Sequence, residues 1–391
     1  MAKKISLEVI LLRSLSCLAI VLVHSAVWVI EVFDPIAQRD AQLLTALRLF
    51  LNFGTPAFVF MSEFLLAKSY PDRLPPGFFL KRFKFLVIPF ICMGMIYAYV
   101  DMRIEGMSLT FGTFVIESLK NIVLGDYVGY FILVIMQFYL LHHLFHRRLS
   151  ASRPLNMLAL AFAINFVYLG FFNFVPPFGF PGAEKVWNEY SWLPALGWVF
   201  YFALGYYCGK HYDTMLALLR KHKWKVLLAP VPLFLVLAAL KMMDIPETTS
   251  SKTVFYLAFS PSMIFFVFLI AGWFKKIPSI FYLISDYSFS IYLLHTLAFM
   301  LVTRPLFLTN YTDMNVYLKT AIIFVTSVLL SMLAGYLINK LPPGKYIVGP
   351  IRTNYKQAKR SAAPPAPLPV PGDVSAVSTE SSRAGALSSG Q

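Results

Sequence analysis

The chain has 391 residues, 58% of them hydrophobic and only 14% charged, with a net charge of +15. A soluble globular protein carries about 25% charged residues and about 45–50% apolar ones, so this composition excludes that class and marks a membrane protein. The basic excess gathers at the ends of apolar runs, which orients a chain in a bilayer and is no nucleic-acid footprint.

The first apolar run follows Lys3 and Lys4 and extends to about Ile30. That is too long for the apolar region of a signal peptide, and no small-residue cleavage site closes it, so it reads as a retained first helix. Within it stand Arg13 and, eleven residues later, His24. On an α-helix that separation advances about 16 Å and turns about three turns plus 20°. Both side chains therefore share one face, Arg13 near a membrane boundary and His24 deep inside. Ionisable groups are costly within lipid, and a functional role is their default reading.

Apolar runs long enough to cross about 30 Å of hydrocarbon recur along the chain. Ten spans are predicted, at about 11–33, 45–67, 83–100, 127–145, 155–173, 194–210, 225–241, 255–274, 280–302 and 316–338. The expected fold is thus an all-α, polytopic membrane protein with about ten transmembrane helices and both termini cytoplasmic. That orientation places Lys68, Arg73, Lys81, Arg82, Lys84, Arg147, Arg148, Arg153, Lys210, Lys221, Lys275 and Lys276 on the inner side. Acidic residues gather oppositely, at 31–40, 101–117 and 244–247.

Residues 1–345 form the predicted transmembrane domain, and 346–391 a basic juxtamembrane segment and tail. From about Ser361 the tail is rich in Pro, Ala, Ser and Gly, a composition that cannot bury enough apolar surface to fold. Cys17, Cys92 and Cys208 lie in separate apolar runs without metal-ligand spacing and read as buried thiols. His142, His143 and His146 crowd beside Arg147 and Arg148 at a helix end. No Cys or acidic residue is near them in sequence, so interfacial solvation is expected there and not a metal site. The sequence also offers no Gly-rich phosphate loop, Ser-His-Asp set or paired carboxylates.

Chemistry concentrates in five stretches. They are "LRSLSCLAIVLVH" at 12–24, "TPAFVFMSEFLL" at 55–66, "KRFKFLVIPF" at 81–90, "GYFILVIMQFYLL" at 129–141 and "SDYSFSIYLLH" at 285–295. In this order they resemble the integral membrane acyltransferase family 3. Its first helix carries Arg or Lys, ten residues, then His; a Phe-x-x-Ser-Gly-Phe motif and a late Ser-x-x-Ile-Tyr-Leu-x-His stretch follow. Two departures stand out. Glu63 occupies the position of the family's glycine after the serine, and the third-helix Arg-x-x-Arg is reduced to Lys81, Arg82 and Lys84. That set keeps charge but loses planar, forked donors.

The resemblance implies transfer of an acyl group, of acetyl or succinyl type, from cytoplasmic acyl-CoA to a hydroxyl of an exopolysaccharide or cell-envelope glycan. Within the family, the compact chain is similar to the branch that modifies polysaccharide intercellular adhesin. His24 then becomes the expected general base, a task for which neutral imidazole is matched near pH 7. Arg13 is expected to meet CoA phosphates, with Lys81, Arg82 and Lys84 extending that site or simply anchoring the helix. His295 would orient His24, bind acceptor or pack, and Ser288 and Tyr292 would support the helix contacts. Glu63 is expected to pair with Arg13 at the cytoplasmic mouth. The expected partners are acyl-CoA, a carbohydrate acceptor and the lipid bilayer, with no nucleic acid, no metal and no permanently bound cofactor. The expected location is the bacterial cytoplasmic membrane. A polysaccharide exporter or flippase without acyl transfer is the alternative.

Overall fold

Hydrogen-bonding groups of the backbone must be satisfied within the chain when lipid surrounds it, and helices do this locally. The computed structural model describes residues 6–33, 36–71, 73–245, 250–303 and 314–351, and within them every regular element is helical. The predicted tail beyond residue 351 lies outside the described residues.

Helix α1 (Leu7–Val32) runs from the end of the bundle that holds Arg13 to the end nearer His24. The chain returns through α2 (Gln38–Leu51) and α3 (Gly54–Ser69), two helices in one nearly continuous stretch. Next come α4 (Phe78–Ile104), which includes a π turn at Phe83–Val87, and the short α5 (Phe111–Leu119). The rest of the bundle is α6 (Phe131–Ala151), α7 (Pro154–Phe174), α8 (Val199–Lys210), α9 (Tyr212–Lys221), α10 (Lys223–Met242), α11 (Tyr256–Ala271), α12 (Ser279–Val302) and α13 (Val316–Lys340).

All ten predicted apolar runs fall on helices, but they are not equivalent. Among the described residues, seven helical stretches are long and apolar enough to cross a bilayer. The predicted span at 194–210 contains only the 12-residue α8, about 18 Å long. Helix α11 has 16 residues, about 24 Å. Helix α12 has the length, 24 residues, but its serines, Asp286 and His295 make it less apolar.

Helix α5 was not expected, since residues 101–117 read as part of an acidic outer segment. Thr110 caps it, its hydroxyl accepting from the Thr113 N–H at 3.2 Å. The chain then folds back along α4. Asn121 Nδ2 donates to the Gly94 carbonyl at 2.9 Å, and Tyr127 Oη to the Phe90 carbonyl at 2.6 Å. Gly125 supplies the left-handed turn that follows (φ 67°), a conformation that costs glycine little. As a result α6 begins beside the middle of α4 and not at its end. A similar shortfall occurs at α8, where the Phe200 N–H donates to Asn165 Oδ1, midway along α7, at 3.1 Å.

Two irregular segments, 125–130 and 191–198, therefore occupy the His24 side of the bundle within the depth of the helices. Such backbone is tolerated in a membrane protein only where protein buries it or it lines a cavity. Side chains meet its polar groups here. Gln137 donates to the Leu193 carbonyl and accepts from the Ala195 N–H, both at 2.8 Å. Trp198 Nε1 donates to the Trp192 carbonyl at 2.6 Å, Tyr168 Oη to the Ser191 carbonyl at 2.7 Å, and Tyr292 Oη to the Val128 carbonyl.

The closest helix contact joins α8 to α3. Gly205 and Gly209 are spaced as small-x-x-x-small, which lets two backbones approach. A Cβ at Gly205 would stand 2.7 Å from the Phe60 carbonyl oxygen, and one at Gly209 2.4 Å from that of Phe64. Only glycine fits. This contact presses Glu63 into the interior.

Candidate active site

Helices α1 and α12 lie side by side and carry the two histidines of the sequence motifs. Cys17 Sγ approaches the Ser288 carbonyl at 3.8 Å, and Trp28 Nε1 donates to Thr303 Oγ1 at 3.0 Å, fixing their register. Between these ties the rings of His24 and His295 come together, with centroids 5.2 Å apart and planes at 53°.

The tautomer of His295 follows from its neighbours. Its Nδ1 lies 3.0 Å from the Ile291 carbonyl and 2.9 Å from that of Tyr292, and a carbonyl can only accept. Nδ1 therefore carries the proton, and Nε2 keeps a lone pair. That Nε2 is buried and has no hydrogen-bond partner among the described residues. His295 itself is 0% exposed, whereas His24 is half-buried. Arg48 of α2 and Lys252, just before α11, both act electrostatically on the His24 ring.

Arg13 is 4% exposed and lies toward the opposite end of α1. Its expected partner goes elsewhere. Glu63 Oε1 lies 2.6 Å from His142 Nδ1, with the two side chains 0% and 1% exposed. Among the described residues no ion pair joins Glu63 to Arg13, so the predicted pairing is replaced by a Glu63–His142 contact between α3 and α6. The reason is geometric: the Gly205 contact turns this stretch of α3 inward, where His142 can reach it. His142 also departs from the expectation of interfacial solvation, for it is buried against Tyr206 and His146. His143 remains exposed, and His146 Nδ1 bonds back to its own helix.

Lys81 and Lys84 are exposed, while the Arg82 guanidinium sits over Phe78 and Tyr139, 4.8 and 5.2 Å from the ring centroids. Ser288 Oγ donates to the Ser285 carbonyl at 3.0 Å within its own helix, and Tyr292 spends its hydroxyl on Val128. No group of three or more His, Cys, Asp or Glu among the described residues is arranged to hold a metal. Arg48, Lys252 and the burial of His142 escaped the reading of the sequence. Arg48 had a signal: it lies inside the second predicted span, so the rule that singled out Arg13 applies to it equally.

Fold and site together define a multi-pass membrane protein whose polar interior presents an accessible histidine backed by a second, fixed one. The model of the family described as an acyltransferase domain matches residues 6–339. The chain belongs to this family, integral membrane acyltransferase family 3, and is a multi-pass O-acyltransferase of the bacterial cytoplasmic membrane. It is 36% identical over 345 residues to a protein of Bacillus subtilis strain 168 named "Putative membrane-bound acyltransferase YfiQ", covering 88% of this chain and 94% of that one. It is 29% identical over 358 residues to the "Probable poly-beta-1,6-N-acetyl-D-glucosamine export protein" of Staphylococcus aureus strain Mu50, with 89% and 97% covered. The protein of the same name in Staphylococcus epidermidis is 28% identical over 361 residues, with 89% and 95% covered. No solved structure matches the chain.

Proposed function

We propose that the enzyme transfers an acetyl- or succinyl-type group from acyl-CoA to a hydroxyl of an exopolysaccharide or cell-envelope glycan, with His24 as general base. The observation that carries this reading is an accessible imidazole at the meeting of α1 and α12, beside a second imidazole whose tautomer is fixed. A sugar hydroxyl becomes a competent nucleophile when a base takes its proton in the transition state. The hydroxyl oxygen attacks the thioester carbonyl as its proton passes to His24. Collapse of the tetrahedral intermediate breaks the carbon–sulfur bond, and the CoA thiolate takes that proton back from the imidazolium. Atoms and charge balance without a cofactor.

In this reading Arg13, with Lys81, Arg82 and Lys84, receives the CoA phosphates at the cytoplasmic end, and the pantetheine arm spans the roughly 16 Å to His24. Both termini are cytoplasmic, which the basic clusters at one set of helix ends support. Cysteine placed at Asp244 should then be labelled from outside intact cells and cysteine at Lys221 should not; the reverse pattern would refute the orientation.

The test of the chemistry uses purified protein, labelled acyl-CoA and a hydroxyl acceptor. His24→Ala should lower the transfer rate by about 10²–10⁴, the usual range for loss of a general base. A rate near that of the wild type would overturn the assignment. A second reading is favoured by the names of the staphylococcal relatives: export of a glycan without acyl transfer. It predicts no transfer of label by the wild-type protein at all.

A further inference from the structure

The reaction written above creates a positive charge on His24 midway, near two basic side chains, of which Lys252 is held well below the ordinary lysine range by burial. Arg48 and Lys252 both act electrostatically on that ring, and neither lies in the five stretches quoted from the sequence. Their surroundings are unusual for cations. The Lys252 ammonium rests on aromatic faces, 3.2 Å from the ring centroid of Trp192 and 4.6 Å from that of Tyr130. Such contacts stabilise a cation but add no negative charge. Among the described residues no carboxylate lies within 4 Å of either Lys252 or Arg48. Glu31 acts on Arg48, but from beyond ion-pair distance.

The donor count points the same way. Arg48 Nε is buried without a hydrogen-bond partner, and Asn52 Nδ2, one helical turn further along, is buried with no well-formed bond, its side chain lying against the Tyr256 hydroxyl. Buried donors are nearly always paired, and an unpaired one costs about 1–3 kcal/mol. The Leu49 carbonyl between these two donors accepts from Tyr256 Oη at 2.8 Å, four residues after Lys252, which sets this turn of α2 against the segment that carries the ammonium. The side chains of Arg48, Asn52, Lys252, Tyr130 and Trp192 are all partly exposed, so the place is open to an entering molecule.

We infer that Arg48, Asn52 and Lys252 form a carboxylate-binding subsite beside His24, which holds an anionic group carried by one of the two reactants. The group is either the free carboxylate of a dicarboxylic acyl chain or a carboxylate on the acceptor glycan. A bound carboxylate would favour the charged form of Lys252, which burial disfavours, and during the reaction would offset the repulsion of Arg48 and Lys252 on the His24 imidazolium. It would also position its reactant next to the base. The inference rests on His24 marking the reacting centre, and the tests separate the two claims.

Binding is read first, without catalysis. Trp192 lies under the Lys252 ammonium, so an anion settling there should change indole emission. Full-length protein in nanodiscs would be titrated with succinate and with glucuronate, using acetate ester and glucose as uncharged controls. At least one carboxylate should give a saturable change that Trp192→Phe abolishes and that Arg48→Gln or Lys252→Gln weakens about ten- to a hundredfold, the usual worth of a charge-assisted hydrogen bond. Turnover then identifies the source. If the acyl chain carries the anion, Arg48→Gln should raise KM for succinyl-CoA about tenfold or more and leave acetyl-CoA within about twofold. If the acceptor carries it, the same split should appear between a carboxylated and a neutral oligosaccharide. Equal losses on charged and neutral reactants would overturn the proposal, as would titrations unaffected by both substitutions. If His24→Ala stays active while the carboxylate still binds, the subsite stands and the assignment of the base falls.

Discussion

Two histidine sites lie buried in one bundle, and their difference separates chemistry from construction. In the Glu63–His142 site a carboxyl group and an imidazole meet at 2.6 Å with exposures of 0% and 1%. The contact is sealed from both sides, by the close α3–α8 crossing at Gly205 and by Tyr206. One Glu63 oxygen meets one His142 nitrogen, while Glu63 Oε2 and His142 Nε2 have no hydrogen-bond partner among the described residues, and both side chains are almost wholly shielded. In the His24–His295 site the inner ring is equally buried and its Nε2 equally bare, but its Nδ1 is spent on its own helix and the outer ring is only half-buried. Burial of a titratable group in lipid-embedded protein is thus ambiguous until its partners are counted. A group that closes on an equally buried partner braces the fold; a partly exposed group beside a fixed one can act.

The contrast predicts opposite signatures for two histidine substitutions. His24→Ala should cost most of the activity, which at 10²–10⁴ in rate corresponds to about 3–5 kcal/mol of barrier, and little stability. His142→Ala should do the reverse. It strands the Glu63 carboxyl group in the interior, and removing one member of a buried pair typically costs about 3–5 kcal/mol. Thermal melting in detergent should therefore drop sharply for His142→Ala and scarcely for His24→Ala. Replacing both partners, Glu63→Leu with His142→Leu, should recover much of the lost stability, because no unpaired polar group remains. A double variant no more stable than His142→Ala would show that the pair does not act as a unit. Equal melting losses for His24→Ala and His142→Ala would erase the distinction altogether.

Much of the fold was legible because the dominant signal, long apolar runs with basic ends, is one that lipid imposes directly. Helices α1, α4, α7 and α13 follow it closely. The folded-back α5 was not legible, since Glu117 and Lys120 gave its stretch the look of a loop, although they pair with each other at 2.7 Å. At the site, the eleven-residue spacing of Arg13 and His24 and the late histidine of α12 were readable, because helical periodicity converts spacing into direction. The partner of Glu63 was not. Depth alone made Arg13 and His142 both eligible, and the choice depends on how α3 rotates against Gly205, a packing fact that one-dimensional periodicity does not contain. Lys252 was invisible for a related reason: it acts on His24 electrostatically from a loop, where periodicity says nothing about direction.

The smallest effect is expected at Ser288, which shares a motif with His295 yet belongs with the bracing groups. Its hydroxyl donates to the Ser285 carbonyl at 3.0 Å, three residues back on α12, and the side chain is 5% exposed. A carbonyl in that position also receives the helix's own N–H, so Ser288→Ala leaves no buried acceptor without a partner. The loss is one neutral hydrogen bond, worth about 0.5–1.5 kcal/mol net. Against it stands the better helix propensity of alanine, about half a kcal/mol. The two terms nearly cancel, and alanine keeps the small volume that lets Cys17 approach the Ser288 carbonyl across the α1–α12 seam. The His24–His295 geometry should therefore survive. Melting should shift by less than about 1 kcal/mol equivalent and the transfer rate by less than about threefold. A loss beyond tenfold with melting unchanged would move Ser288 out of the bracing class, and would mean that its hydroxyl turns toward the reactants during the reaction.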